Sequence, residues 1–149
     1  MRKVTTSRFG ELDIEEHRIV HFRDGIPAFE DEHEFVILPY DEDSPYYFMQ
    51  SLKTPDLAFL MTVPFLFFPD YTFEIDDATV EELDIKPVDR VAYYSLVTIP
   101  NYSIRYMTAN LLAPIVLNTA NMQAKQLVLD KTDYTTKERL FPDSRRRAK

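Results

Sequence analysis

Ten prolines punctuate this chain, and they fall between short apolar runs rather than inside long ones. A proline donates no N–H to a helix turn or a sheet ladder and disrupts either from within, so the chain is confined to short elements. The runs are HRIVHF (17 to 22), EFVILPY (34 to 40), YYFMQSL (46 to 52), LAFLMTV (57 to 63), RVAYYSLVTI (90 to 99), SIRYMTANLL (103 to 112), PIVLN (114 to 118) and KQLVLD (125 to 130). They are rich in β-branched and aromatic residues and bounded by turn formers, as strands are. Strands at this regular spacing predict a mostly all-β fold, a single antiparallel barrel-like or sandwich domain. One short helix is expected in DDATVEELDI (76 to 85), plugging or covering one end of the domain. There Asp77 can cap, Thr79 with Glu82 matches a capping box, and acids occupy the first turn as the helix dipole prefers.

At 149 residues and 45% apolar content, the chain can build one domain with its own core. The expected division is a β domain over residues 1 to 141 and a basic tail without regular structure over 142 to 149. The chain has no cysteine, which removes disulfides, thiolate metal sites and thiol nucleophiles together. No apolar region follows the early basic residues of MRKVTTSRFG, as a signal peptide would require. The apolar stretch from Leu57 to Phe68 is interrupted by Thr62 and Pro64 and falls short of the roughly 20 residues of a membrane helix. A cytoplasmic protein without membrane contact is therefore expected.

Charge is unevenly spread. Of 17 basic and 25 acidic residues, the last seven (DSRRRAK) hold four basic and one acidic, leaving 13 against 24 in residues 1 to 142. The body thus carries about −11 and the tail +3. A body of that sign repels phosphate backbones, so direct nucleic-acid binding is not expected of it. A basic partner protein is one complement to it, and mere solubility is the other use of such a surface.

Most catalytic classes are excluded by residue type. Glycine occurs only at positions 10 and 25, so there is no phosphate-cradling loop, dinucleotide fingerprint or nucleophile elbow. His17 and His21 lie on a strand pattern, where positions four apart are roughly 13 Å from each other, too far for one metal ion. Asp41, Glu42 and Asp43 resemble a calcium loop only superficially, since no glycine follows and Leu52 stands where the bidentate glutamate would be. Carboxylates in EDEHE (30 to 34) and EELD (81 to 84) sit in polar settings that do not raise a pKa for acid/base work. No catalytic residue, metal or cofactor is expected; the alternative is a carboxylate-dependent enzyme or a small-ligand β-barrel.

The segment VPFLFFPDY (63 to 71) sets four apolar residues between Pro64 and Pro69. It is either a buried bend or an exposed grip. In an extended segment successive side chains face opposite sides, so one or two of Phe65 to Phe68 should be exposed beside Pro69 and Tyr71, with Phe65 and Phe67 sharing one fate. Asn110, Asn118 and Asn121 either close turns or hydrogen-bond a partner's main chain.

Three blocks carry a family resemblance: FRDGIPAFED (22 to 31), YFMQSLKTPDLAFLMTVPFLFFPDY (47 to 71) and TANLLAPIVLNTANMQAKQLVL (108 to 129). In order and spacing they resemble the flagellar assembly factor FliW family, except that a glycine is expected where this chain has Ala28. The resemblance implies a non-enzymatic regulator that binds flagellin and, when flagellin has been exported, binds the RNA-binding translational regulator CsrA and relieves repression of flagellin translation. The candidate partner-binding residues are Met49, Gln50, Phe65, Phe67, Phe68, Pro69, Tyr71, Asn110, Asn118 and Asn121. Two acidic clusters, Glu11, Asp13, Glu15 and Glu16, and Glu30, Asp31 and Glu32, are the candidates for keeping RNA away from the bound regulator by their charge.

Overall fold

The computed structural model describes residues 1–142, so the basic tail falls, from residue 143 onward, outside the described residues. An N-terminal hairpin of β1 (Arg2–Thr6) and β2 (Gly10–Ile14) precedes β3 (Ile19–Phe22), β4 (Glu34–Pro39), β5 (Tyr46–Ser51) and β6 (Ala58–Thr62). The helix α1 (Asp77–Glu82) follows, then β7 (Val91–Thr98), β8 (Thr108–Ala109), β9 (Ile115–Asn118), β10 (Gln123–Gln126) and β11 (Glu138–Arg139). Strands β7, β6, β5, β4, β3, β10 and β9 pair in that order, and β9 returns to β7, closing a seven-stranded barrel. All barrel pairs are antiparallel except β3 with β10, which run parallel through His21 with Gln123 and Phe22 with Ala124. The long β7 makes closure possible: Val91 to Tyr94 pair with β9, while Val97 and Thr98 pair with β8, which carries β11 away from the barrel.

Period-two alternation sends one set of side chains into the barrel and the other onto its outer wall. The interior is filled by a cluster including Val20, Phe22, Phe35, Met49, Met61, Ile115 and Leu117, drawn from β3, β4, β5, β6 and β9. Burying each such side chain contributes about 1.5–3 kcal/mol. Outside the wall lie three satellite clusters. Val4 and Ile14 of the hairpin cover Ile19 and Val36, Leu83 at the end of α1 covers Val116 and Leu127, and a third cluster surrounds Tyr71, Met107, Leu111 and Leu140.

The structure departs from the sequence reading in particular places. SIRYMTANLL is mostly not a strand: a 3-10 turn at Pro100–Tyr102 precedes it, Ile104–Tyr106 forms another, and within it only Thr108–Ala109 is a strand. Asn101 and Tyr102 have φ of 52° and 57°, a left-handed backbone that no strand continues through. His17 lies in the 3-10 turn Glu16–Arg18, before the strand proper. The strand expected at KQLVLD lies earlier, as β10 at Gln123–Gln126, and β11 at Glu138–Arg139 is not among the expected strands. Asp76, not Asp77, caps the helix, its Oδ1 accepting the Thr79 N–H at 3.1 Å, and α1 lies on the outer wall over β9 and β10 instead of an end of the domain.

The hairpin is also held by charge. Arg2 donates from Nη1 to Glu34 Oε1 of β4 at 2.7 Å and from Nη2 to Glu16 at 3.4 Å. The Arg2 hydrogen bond holds the Glu34 carboxyl below its ordinary pKa of 4.5, against the opposing effect of burial. A lowered folded pKa contributes stability that is present above the unfolded value and is lost as the pH falls through the folded one. Wild type should therefore exceed Arg2→Ala in stability near neutral pH, by no more than about 1 kcal/mol because the pair is partly solvated. The gap should close progressively below pH 4.5, as read by urea denaturation across that range. A gap unchanged at pH 2 would mean that Arg2 acts through packing of its stem.

Candidate functional site

The segment between Pro64 and Pro69 is not extended. Pro64 opens a 3-10 turn (Pro64–Leu66), where its missing N–H costs nothing, and its carbonyl accepts the N–H groups of Phe67 and Phe68 at 3.1 and 2.9 Å. Alternation therefore does not apply, and Phe65 and Phe67 do not share one fate. Phe65 is 38% exposed and Leu66 63% exposed, while Phe67 and Phe68 are half-buried against the Tyr71 cluster. Phe67 stacks on Tyr46 at 6.0 Å and meets Phe141 edge-on at 5.7 Å. Tyr71 is the anchor beneath them. It is buried, its hydroxyl donates to Leu111 O at 2.7 Å, and its ring packs against Phe65, Phe73 and Tyr134. Burial, with Tyr134 nearby, pushes its hydroxyl pKa well up, so it stays a neutral donor.

A second set of exposed apolar side chains grows from the same buried cluster. The 3-10 turns after β7 present Tyr102, Ile104 and Tyr106 to solvent, with Tyr102 98% exposed. Their base is tied down where Leu140 N–H donates to Met107 O at 3.0 Å and Arg139 Nη2 donates to Arg105 O at 3.1 Å. The Arg139 guanidinium lies 5.0 Å from the Tyr106 ring centroid. Exposed apolar residues on turns with rigid roots are suited to a protein partner, because little side-chain or loop freedom remains to be lost on docking. An open cleft of about 320 Å³ lies beside Phe67, Pro69 and Tyr134.

The structure separates the expected partner-binding residues into two groups. Phe65, Phe67, Phe68 and the exposed Pro69 lie at this face. Met49, Gln50, Tyr71 and Asn118 are interior and cannot touch a partner docked on this fold. Met49 belongs to the barrel interior. Gln50 donates from Nε2 toward the carbonyls of Ser51, Pro55 and Leu57, holding the β5–β6 connection. Asn118 donates from Nδ2 to Leu83 O at 3.0 Å and Asp84 O at 3.3 Å, and Asn121 donates to Leu83 O at 2.9 Å. These two asparagines do bind main chain, but it is the open carbonyl end of this chain's own α1. Asn110 closes a turn, accepting the Ala113 N–H at 3.0 Å. Leu66 falls within the expectation that one or two of residues 65 to 68 are exposed, whereas Tyr102, Ile104, Tyr106 and Phe141 are not among the expected residues; the Pro100-Asn101 turn signal just before SIRYMTANLL is the available clue.

The acidic clusters are likewise mixed. Glu11, Asp13, Glu15 and Glu16 are exposed, but Asp13 stands opposite Lys3 in the hairpin, Glu16 pairs with Arg2 and Glu15 with His17. Glu30 and Asp31 are exposed, whereas Glu32 is buried and accepts hydrogen bonds from the hydroxyls of Ser51 and Thr54, both at 2.5 Å, so its carboxyl group is turned into the fold and not toward the surface. His21 lies 3.9 Å from Glu34, and Asp41 to Asp43 form the tight turn before β5. No helix among the described residues is long and apolar enough to cross a membrane.

Comparison with known proteins converges on one family. The FliW protein family model matches residues 3–140. The flagellar assembly factor FliW of Heliobacterium modesticaldum is 44% identical over 142 residues, covering 95% of this chain and 92% of that protein. That of Bacillus subtilis is 43% identical over 141 residues, covering 95% and 98%. A crystal structure of the flagellar assembly factor FliW superposes with a TM-score of 0.88 at 42% identity, covering 95% of this chain and 98% of the other.

Proposed function

The chain belongs to the FliW family of flagellar assembly factors, and we propose that it is a cytoplasmic, non-enzymatic regulator with two protein partners. It binds flagellin, and when flagellin is scarce it binds a CsrA-type RNA-binding regulator and relieves repression of flagellin translation. The observation that carries this reading is the set of exposed apolar side chains Phe65, Leu66, Tyr102, Ile104 and Tyr106, on turns whose neighbours Phe67, Phe68, Ile99 and Met107 are rooted in one buried cluster. The net charge supports the second half of it: a body of about −11 beside a bound regulator raises the electrostatic cost of bringing phosphates in. The alternative of a small-ligand barrel lacks room, since the barrel interior is filled with side chains.

If both partners use these same side chains, only one can be held at a time, and saturating flagellin should release the regulator from its complex. Size-exclusion chromatography of the three proteins at stoichiometric amounts reads this directly. A stable ternary complex would overturn the competition, and failure of either protein to bind would overturn the reading itself.

A further inference from the structure

Two segments outside the regular elements alternate as strands do. Along 72–76, Thr72, Glu74 and Asp76 are exposed while Phe73 and Ile75 turn inward, and along 127–130, Leu127 and Leu129 turn inward while Val128 and Asp130 are exposed. The inward side chains join the satellite clusters over the outer wall. The two segments do not pair with each other; they flank an open groove of about 610 Å³.

One wall of that groove is an unpaired sheet edge. Leu127 and Leu129 donate their N–H groups to Pro114 O and Leu112 O, both at 2.9 Å, continuing the β10–β9 pairing. Main-chain groups of alternate residues in a strand point to opposite edges, so those of Gln126, Val128 and Asp130 face the other way. On that side β3 accompanies β10 only as far as Ala124, and the main chain of Val128 and Asp130 makes no hydrogen bond to any described residue. Across the groove, Phe73, Glu74 and Ile75 likewise donate no main-chain hydrogen bond among the described residues. Such edges recruit another strand unless they are blunted. The rim carries Glu74, Asp76, Asp77 and Asp130 against the single Lys131.

We propose that this groove binds an extended cationic segment of a partner protein by strand addition to the Gln126–Asp130 edge. Alternate side chains of the segment pack toward Phe73 and Leu129, and the others bring lysine or arginine to the rim carboxylates. Main-chain bonds supply the docking and the charge pattern supplies the selection. The groove is distinct from the apolar face, and the proposal does not rest on the function assigned to that face.

The test is a titration of the ¹⁵N-labelled full chain with a seven-residue peptide alternating valine and lysine. Its controls are the same peptide N-methylated at alternate amides and a version with glutamate for lysine. The amides of Gln126, Val128 and Asp130 should shift and gain protection from hydrogen exchange, with both controls at least tenfold weaker. The double variant Glu74→Lys with Asp130→Lys should also bind at least tenfold less; both residues are exposed and their side chains make no hydrogen bond among the described residues, so the fold should be retained. Equal binding by the N-methylated peptide would reduce the association to bulk charge and overturn the proposal. So would shifts confined to other residues, or no shift at millimolar peptide. Concentration-dependent self-association through these same amides would assign the edge to a second copy of this chain and overturn it as well.

Discussion

Alanine at Tyr71 should cost about 3–5 kcal/mol of folding stability, while alanine at Leu66 or Tyr102 should cost less than about 0.5 kcal/mol and still remove most partner affinity. The contrast follows from position, since the three residues differ in what covers them. Tyr71 is 4% exposed, sits among three rings and donates to Leu111 O, so its removal leaves both a cavity and an unpaired carbonyl. Leu66 and Tyr102 are 63% and 98% exposed, and their truncation gives water what water already touches. Bound to a partner, such side chains become the buried anchors of an interface, where loss of one costs about 2 kcal/mol or more. Phe67→Ala should fall between, because Tyr46 and Phe141 pack on it from two sides. The measurements are urea denaturation of each variant and its affinity for flagellin and the regulator. Unchanged affinity for both partners in folded Leu66→Ala and Tyr102→Ala proteins would move the partner site off this face.

The second large effect concerns the bend after β3. Gly25 has φ of +71°, and a Cβ there would lie 2.5 Å from the Glu30 carbonyl oxygen. A left-handed backbone costs an alanine about 1–2 kcal/mol, and the contact must also be relieved by moving backbone, because no side chain is available to yield. Gly25→Ala should therefore lose roughly 3 kcal/mol or more in total, which lowers the melting temperature by about 6–12 °C in a domain of this size. Three residues on, Ala28 also has positive φ, at 72°. It occupies the third position of a turn in which Phe29 N–H donates to Ile26 O at 2.6 Å and Pro27 stands second, the arrangement that favours glycine third. Ala28→Gly should raise stability by about 0.5–1 kcal/mol, the relief of left-handed strain outweighing the added freedom of the unfolded chain. A destabilised Ala28→Gly protein would show that the alanine methyl packs usefully in the bend.

The family resemblance leads to the expectation of a glycine where this chain has Ala28, and the positive φ there is a backbone that glycine adopts at no steric cost. The strands were legible for a different reason. In EFVILPY, YYFMQSL and LAFLMTV the boundaries agree with β4, β5 and β6 to within a residue or two, because β-forming residues and the turn formers that bound them act locally. SIRYMTANLL has the same local composition and is mostly not a strand, because the left-handed pair at Asn101 and Tyr102 turns the chain before it can pair. The expected partner residues divide along the same line. Phe65 and Pro69 are at the surface, although the alternation from which exposure is expected does not hold in the 3-10 turn, and no local pattern distinguishes a surface asparagine from Asn118, which faces the end of its own helix.

The sequence by itself determined that this chain builds short strands and one short helix, that its body carries about −11, and that it falls within one family. Each of these depends on residue type, spacing or net charge, quantities that survive without coordinates. Only the tertiary structure decided which aromatics are exposed, that β9 meets β7 to close the barrel, that Glu32 is buried and that the edge from Gln126 to Asp130 is open. Burial and edge pairing are set by segments far apart in the chain. Whether a side chain or a carbonyl meets water is decided by whichever distant element packs over it, and for Asn118 that element is the end of a helix 35 residues away.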